Sequence, residues 1–183
     1  MKKFTLKQLA LSALIAALYV ALTVPLGGLA SDYFINVRPA EALTLLPVFF
    51  VEAVPGLAVG CLLANLLTGA TAMDVILGAV ITLVAAVLTR LVRKPLIGGL
   101  FPVVLNALGL PLIWMFSGGA TGYWTMVLST LLTQTVWVYG LGIPLCLAVR
   151  RSRFLMRFAT SFQREKEPAG EEPAPSDSQP RGV

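Results

Sequence analysis

The chain has 183 residues, of which 57% are apolar and only 13% charged, about half the ~25% charge usual in a soluble domain. It holds one domain's worth of sequence, leaving no room for a separate catalytic or nucleotide-binding module, and its lack of histidine removes the commonest general base and metal ligand. Thirteen of the fourteen Lys and Arg residues fall in three clusters: Lys2, Lys3 and Lys7; Arg90, Arg93 and Lys94; and the stretch from Arg150 onward.

Long apolar runs separate these clusters. An even number of crossings between them puts all thirteen cations on one side, as the positive-inside rule requires. The charges therefore read as topology signals rather than as a nucleic-acid surface. The expected fold is an all-α membrane protein, a six-transmembrane-helix bundle in the bacterial cytoplasmic (inner) membrane with both termini cytoplasmic. Residues 1–150 form the membrane domain, and 151–183 a basic, then disordered, cytoplasmic tail.

A spanning helix needs about 20 mostly apolar residues. The first runs from about Leu6 to Val24 and stops at Pro25, Gly27 and Gly28. Its basic start and apolar run also resemble a signal peptide, but the run is longer than such a segment needs. Ala10, Ala13, Ala17 and Ala21 form a small-residue stripe along one face of this helix. Such a stripe permits close approach of another helix, either within the bundle or from a separate membrane partner.

An outer loop follows, from Ser31 to Val37, and then a short apolar stretch from Pro39 to Val51 that calls for tilting or burial. Pro55 opens the third run, which ends near Gly69; the fourth begins at Asp74 and ends at the Arg90 cluster. The fifth covers Leu96 to Phe116 and the sixth Tyr123 to Val149. The tail after Phe162 is rich in Glu, Pro, Ser and Gly and has little apolar surface to bury. Cys61 and Cys146 sit in apolar runs without metal-ligand spacing and read as packing residues.

Acids inside a membrane are functional candidates because burying one costs at least ~2.5–3.5 kcal/mol. Asp32 falls in the outer loop and Glu52 at a cytoplasmic turn, where both read as solvated. Asp74 starts a helix, where a carboxylate can cap free amides. Glu41 is the strongest candidate, its structural alternative being an ion pair with Arg38 one turn away. Asn65, Asn106 and Gln134 lie within spans and need partners, in a site or simply between helices. These polar groups concentrate in the outer half, as an outward-facing pocket requires. Phe34, Phe49, Trp124, Trp137 and Tyr139 offer aromatic walls, with Trp124 better placed as an interfacial anchor. No phosphate-binding loop, Ser/His/Asp set, metal cluster or paired-acid arrangement is present in the sequence. The expectation is a non-enzymatic importer without cofactor, which needs an ion gradient or an energised partner.

The stretch NVRPAEALTLLPVFF (36–50) resembles the QueT family, as does AVPGLAVGCLLANLLTGATAMDVILGAVITLVAAVLTRLVRK (53–94). So do FPVVLNAL (101–108) and YGLGIPLCLA (139–148). The resemblance implies a substrate-binding S component of an energy-coupling factor (ECF) transporter that captures a queuosine precursor such as preQ1, a 7-aminomethyl-7-deazaguanine. It implies docking of the first helix, through Ala13, Ala17 and Ala21, on a transmembrane T component driven by two ATPases. It also points to Glu41, Asn65, Asp74 and Asn106 as substrate-binding positions, beside Gln134 and Trp137. Gln134 is a departure, because the family pattern often has Glu there. Two alternatives differ in class: an S component or stand-alone carrier for another vitamin-like metabolite, and a non-transport membrane assembly protein.

Overall fold

The computed structural model describes residues 5–30, 36–118 and 122–152, and all regular structure among them is helical. Helix α1 (Leu6–Thr23) begins after Thr5, whose backbone N–H donates to Gln8 Oε1 at 3.0 Å. It continues as a 3₁₀ stretch, Val24–Ala30, broken at Gly27, where φ is 49°. The next element is a second 3₁₀ segment, Pro39–Val48. Then come α2 (Ala53–Leu67), a π turn (Asp74–Gly78) running into α3 (Ala79–Val92), the short α4 (Pro95–Gly98) and α5 (Leu100–Phe116). Helix α6 (Tyr123–Thr135) leads through a π segment, Val136–Leu141, into α7 (Gly142–Arg151).

Four continuous stretches are long and apolar enough to cross a membrane: Leu6–Ala30, Asp74–Val92, Pro95–Phe116 and Tyr123–Arg151. The other two apolar runs are helical but short. Ten residues of 3₁₀ helix rise ~20 Å and fifteen of α-helix ~22 Å, against a hydrocarbon core of ~30 Å. Burial resolves the shortfall for the 3₁₀ segment, because every residue from Ala40 to Val48 is buried. It forms the axis of the bundle, touched by α1, α2, α3, α7 and the Val136–Leu141 π segment. Pro39 opens it, where its missing N–H costs nothing, and Pro47 lies within its last turn. The free carbonyls at its C-terminal end are met by Arg90, whose Nη1 donates to Pro47 O at 3.1 Å and Val48 O at 3.2 Å.

The most extensive contact joins α1 to α2. It depends on Gly56 and Gly60, one turn apart on α2. A Cβ on Gly56 would lie 2.6 Å from Ser12 O, and one on Gly60 would lie 2.8 Å from Tyr19 Cβ. This small-xxx-small pattern lets two backbones meet. The face of α1 that meets α2 and the axis is Gln8, Ser12, Ile15, Ala16, Tyr19 and Thr23. Ala10, Ala13, Ala17 and Ala21 all face outward, so the stripe is not used for packing within this bundle.

The distribution of polarity is inverted relative to a soluble protein. Large apolar side chains such as Leu14, Leu66, Ile76, Leu112 and Leu132 are exposed, while Arg38, Glu41, Glu52, Asn65, Asn106 and Gln134 are buried. Such an outer surface is compatible with lipid and not with water. Glu52 departs from the solvated turn expected of it: it is 1% exposed, and Gln8 Nε2 donates to its Oε1 at 3.0 Å. Cys61 and Cys146 are buried and free. Asp32, Phe34 and the tail from residue 153 lie outside the described residues.

Candidate substrate site

The first turn of the axial segment carries the central group. Glu41 is 1% exposed, and both of its oxygens accept hydrogen bonds: Oε1 from Tyr19 O–H at 2.8 Å and Oε2 from Asn106 Nδ2 at 3.2 Å. Its backbone carbonyl accepts from Thr44 Oγ1 at 2.5 Å, which fixes the turn. Two helices distant in sequence, α1 and α5, therefore orient one carboxylate. A carboxylate offers about four acceptor positions, so two remain for a ligand.

Arg38 does not spend its hydrogen-bonding fork on Glu41, as the local ion-pair alternative proposed. Its Nη2 donates to Asn65 Oδ1, and its Nε has no hydrogen-bond partner although buried. Arg38 interacts electrostatically with both Glu41 and Asp74, so a single buried cation faces two acids. Asn65 in turn donates through Nδ2 to the Asp74 carbonyl at 3.0 Å and to Cys61 Sγ at 3.7 Å.

Asp74 sits in the first turn of the π helix, but its carboxylate does not act as the expected cap. Trp114 Nε1 donates to Oδ1 at 3.0 Å, and Thr71 O–H reaches Oδ2 at 3.4 Å. The capping role belongs to Thr71 Oγ1, which accepts from the Asp74 backbone N–H at 3.3 Å. Thr71 Oγ1 also lies 3.3 Å from Ser117 Oγ, joining the C-terminal end of α5 to the α2–α3 turn.

Two further groups line the buried face of α6. Thr130 and Gln134, each 1% exposed, lie one turn apart, and Thr130 Oγ1 and Gln134 Oε1 have no hydrogen-bond partner. Gly142 fixes their level, since a Cβ there would lie 3.1 Å from Ala42 O. Gln134 is two turns earlier, ~12 Å back along the helix. Trp137 stays half-buried on the π segment, and Trp124 is 75% exposed, in keeping with an interfacial anchor.

Of the positions expected from sequence, Glu41 and Asn106 are directly bonded, Asn65 and Asp74 are joined through a backbone carbonyl, and Gln134 is bonded to none of them, its Oε1 buried and unpartnered. Asn65 and Asn106 hold Arg38, Asp74 and Glu41 in place. Sequence reading did not single out Tyr19, Trp114, Thr71 or Thr130 for the site, and it treated Arg38 only as a possible partner of Glu41. The available signal for Arg38 was its isolation as the one basic residue outside the three clusters. A cleft of about 570 Å³ lies elsewhere, between α1, the axial segment and α7. Its walls are apolar (Leu11, Leu14, Leu43 and Phe50 among them), with Lys7 at one end. It lacks the chemistry to select a polar solute.

An apolar shell around a buried polar cluster, with four stretches long and apolar enough to span, is the pattern of a multi-pass membrane protein. The family model of the QueT transporter matches residues 9–151, and the chain belongs to that family. No curated protein and no solved structure matches the chain at a significant level.

Proposed function

We propose that this protein is the substrate-binding S component of an ECF-type importer and captures a preQ1-like 7-deazaguanine from outside the cell. The observation that carries this reading is the Glu41 carboxylate, buried at the axis of a transporter-family bundle and oriented by Tyr19 and Asn106. The N1–H and N2–H₂ donors of a 7-deazaguanine are adjacent, and one carboxylate accepts both. The O6 acceptor takes a donor from Arg38 Nε or the Gln134 amide, whose oxygen and nitrogen can exchange places. The cationic aminomethyl group is matched by Asp74. Half-buried Trp137, three residues after Gln134, offers a ring face to the base.

Capture involves no bond making. The bundle has its amino-terminal and carboxy-terminal ends and the Arg93–Lys94 turn on the cytoplasmic side of a bacterial inner membrane, as the basic clusters require. Ala13, Ala17 and Ala21 lie on the open face of α1, where a T component docks, and two ATPases power release inside. Gln134 in place of the family's Glu supports one second reading, a vitamin-like substrate lacking the matching cation.

Calorimetric titration of the detergent-solubilised protein with preQ1, guanine and riboflavin tests the reading. Binding of preQ1 in preference to the other two, lost by at least ~100-fold in Glu41→Ala, is the expected result. Folded protein that ignores preQ1 but binds another metabolite overturns the substrate. Failure of a complex with T component and ATPases to import ATP-dependently overturns the S-component assignment.

A further inference from the structure

Asn36 stands just before the axial segment and is, among the described residues, the side chain with both polar atoms buried and unpartnered. It is 2% exposed, yet neither Nδ2 nor Oδ1 has a hydrogen-bond partner. Its backbone is left-handed, with φ 34°, a conformation that Asn adopts more readily than most residues. The adjoining peptide is anchored, since Val37 N–H donates to Leu29 O at 2.8 Å. The chain thus holds a bare carboxamide inside the protein. Leaving either amide atom unpaired there is costly, and nothing in the local fold uses it. Two residues on, the Arg38 Nε is likewise buried and unpartnered, and Glu41 follows on the same connection. Asn36, Arg38 and Glu41 therefore carry unused donors and acceptors on one short run of chain.

A carboxamide presents one donor and one acceptor side by side in a plane. It pairs with a ligand edge that shows an acceptor next to a donor, just as Asn reads adjacent groups on adenine. One such edge of a 7-deazaguanine is left without a partner in that pocket. Glu41 takes N1–H and N2–H, Arg38 or Gln134 takes O6, and Asp74 takes the substituent on C7. The remaining edge has the N3 acceptor beside the N9–H donor. Only the free base has that donor, because a nucleoside carries its sugar at N9.

Resting on the reading of the site as a 7-deazaguanine pocket, we infer that Asn36 is a specificity-determining contact for the N3/N9–H edge. Its Nδ2 donates to N3, its Oδ1 accepts from N9–H, and it selects the free base over N9-substituted forms.

The test is a cycle of two ligands and two proteins. PreQ1 and its 9-methyl derivative are titrated into wild-type protein and Asn36→Gly, a replacement that removes the carboxamide and suits the left-handed backbone. Wild type is expected to lose at least ~10-fold in affinity on methylation, and Asn36→Gly to bind preQ1 ~10–100-fold more weakly. Methylation should then cost the variant less than ~3-fold. The ligand-free variant should unfold at the wild-type temperature or above it, because the side chain removed satisfied nothing. Equal methylation penalties in both proteins, or full preQ1 affinity in Asn36→Gly, overturn the role of Asn36. If Glu41→Ala abolishes preQ1 binding in the same series, the pocket reading survives that loss. If wild type binds neither ligand, the pocket reading and this inference fall together.

Discussion

Tyr19 shows how one side chain couples fold and site. Its ring is fully buried between α1 and α2, and its hydroxyl donates to Glu41 across a separation of 22 residues. Tyr19→Phe keeps the ring and removes one donor from a buried carboxylate, a loss of ~1–3 kcal/mol. The expected outcome is about tenfold weaker preQ1 binding with a small fall in unfolding temperature. Unchanged affinity by calorimetry would mean that Glu41 is oriented without Tyr19. Glu41 itself was legible in the sequence, because an acid in an apolar run is conspicuous. Its partners were not. Tyr19 and Trp114 look like ordinary bundle aromatics until the helices close, and Asn106 meets Glu41 only across 65 residues. The ion pair with Arg38 was the natural local reading. Asn65, brought in by α2, supplied Arg38 with a different partner.

At the level of elements, the α1–α2 seam and the open face of α1 make contrasting predictions. Gly60→Ala places a methyl 2.8 Å from Tyr19 Cβ and 3.1 Å from Ala16 Cα, so the helices must separate at a cost of ~1–3 kcal/mol. A lower unfolding temperature and weaker preQ1 binding are expected together, because Tyr19 moves away from Glu41. Gly140→Ala is the control, with nothing within 4 Å of the added carbon, and should change neither. On the other face, Ala17 points outward. Ala17→Trp should leave folding and substrate affinity intact yet abolish co-purification with the T component. Persistent co-purification would place the docking surface elsewhere. The stripe of alanines was visible in sequence, but periodicity could not say whether it faced inward or outward. The Gly56–Gly60 pair was equally visible and carries the internal contact instead.

For the molecule as a whole, the three basic clusters predict a topology that can be measured. With Cys61 and Cys146 replaced by alanine, a membrane-impermeant maleimide added outside intact cells should label Met73→Cys and not Lys94→Cys. Lys94→Cys should react only after permeabilisation. Reaction of both from outside would refute a cytoplasmic Arg90–Lys94 cluster. The native cysteines, both buried, should resist the same reagent until the protein is unfolded. The inverted polarity of the bundle supports the same picture, since its exposed apolar side chains require lipid and its buried polar ones require each other.

The sequence alone determined the chemical class of the molecule, through its apolar runs, its clustered cations and a long family-like central block. Those properties are additive along the chain and depend on no contact. It also located Glu41, Asn65, Asp74, Asn106 and Gln134 as polar groups needing partners. Only the tertiary structure decided which partners they received, because a hydrogen bond between helices depends on rotation and depth that local pattern does not specify. It made the short Pro39–Val48 run a buried 3₁₀ axis, since ten residues too few to cross alone can be shielded by the longer helices around them. It also separated the satisfied amides, Asn65 and Asn106, from the unsatisfied ones, Gln134 and Asn36. That distinction arises from packing, because a buried amide goes unpaired only where its folded neighbours offer it no partner.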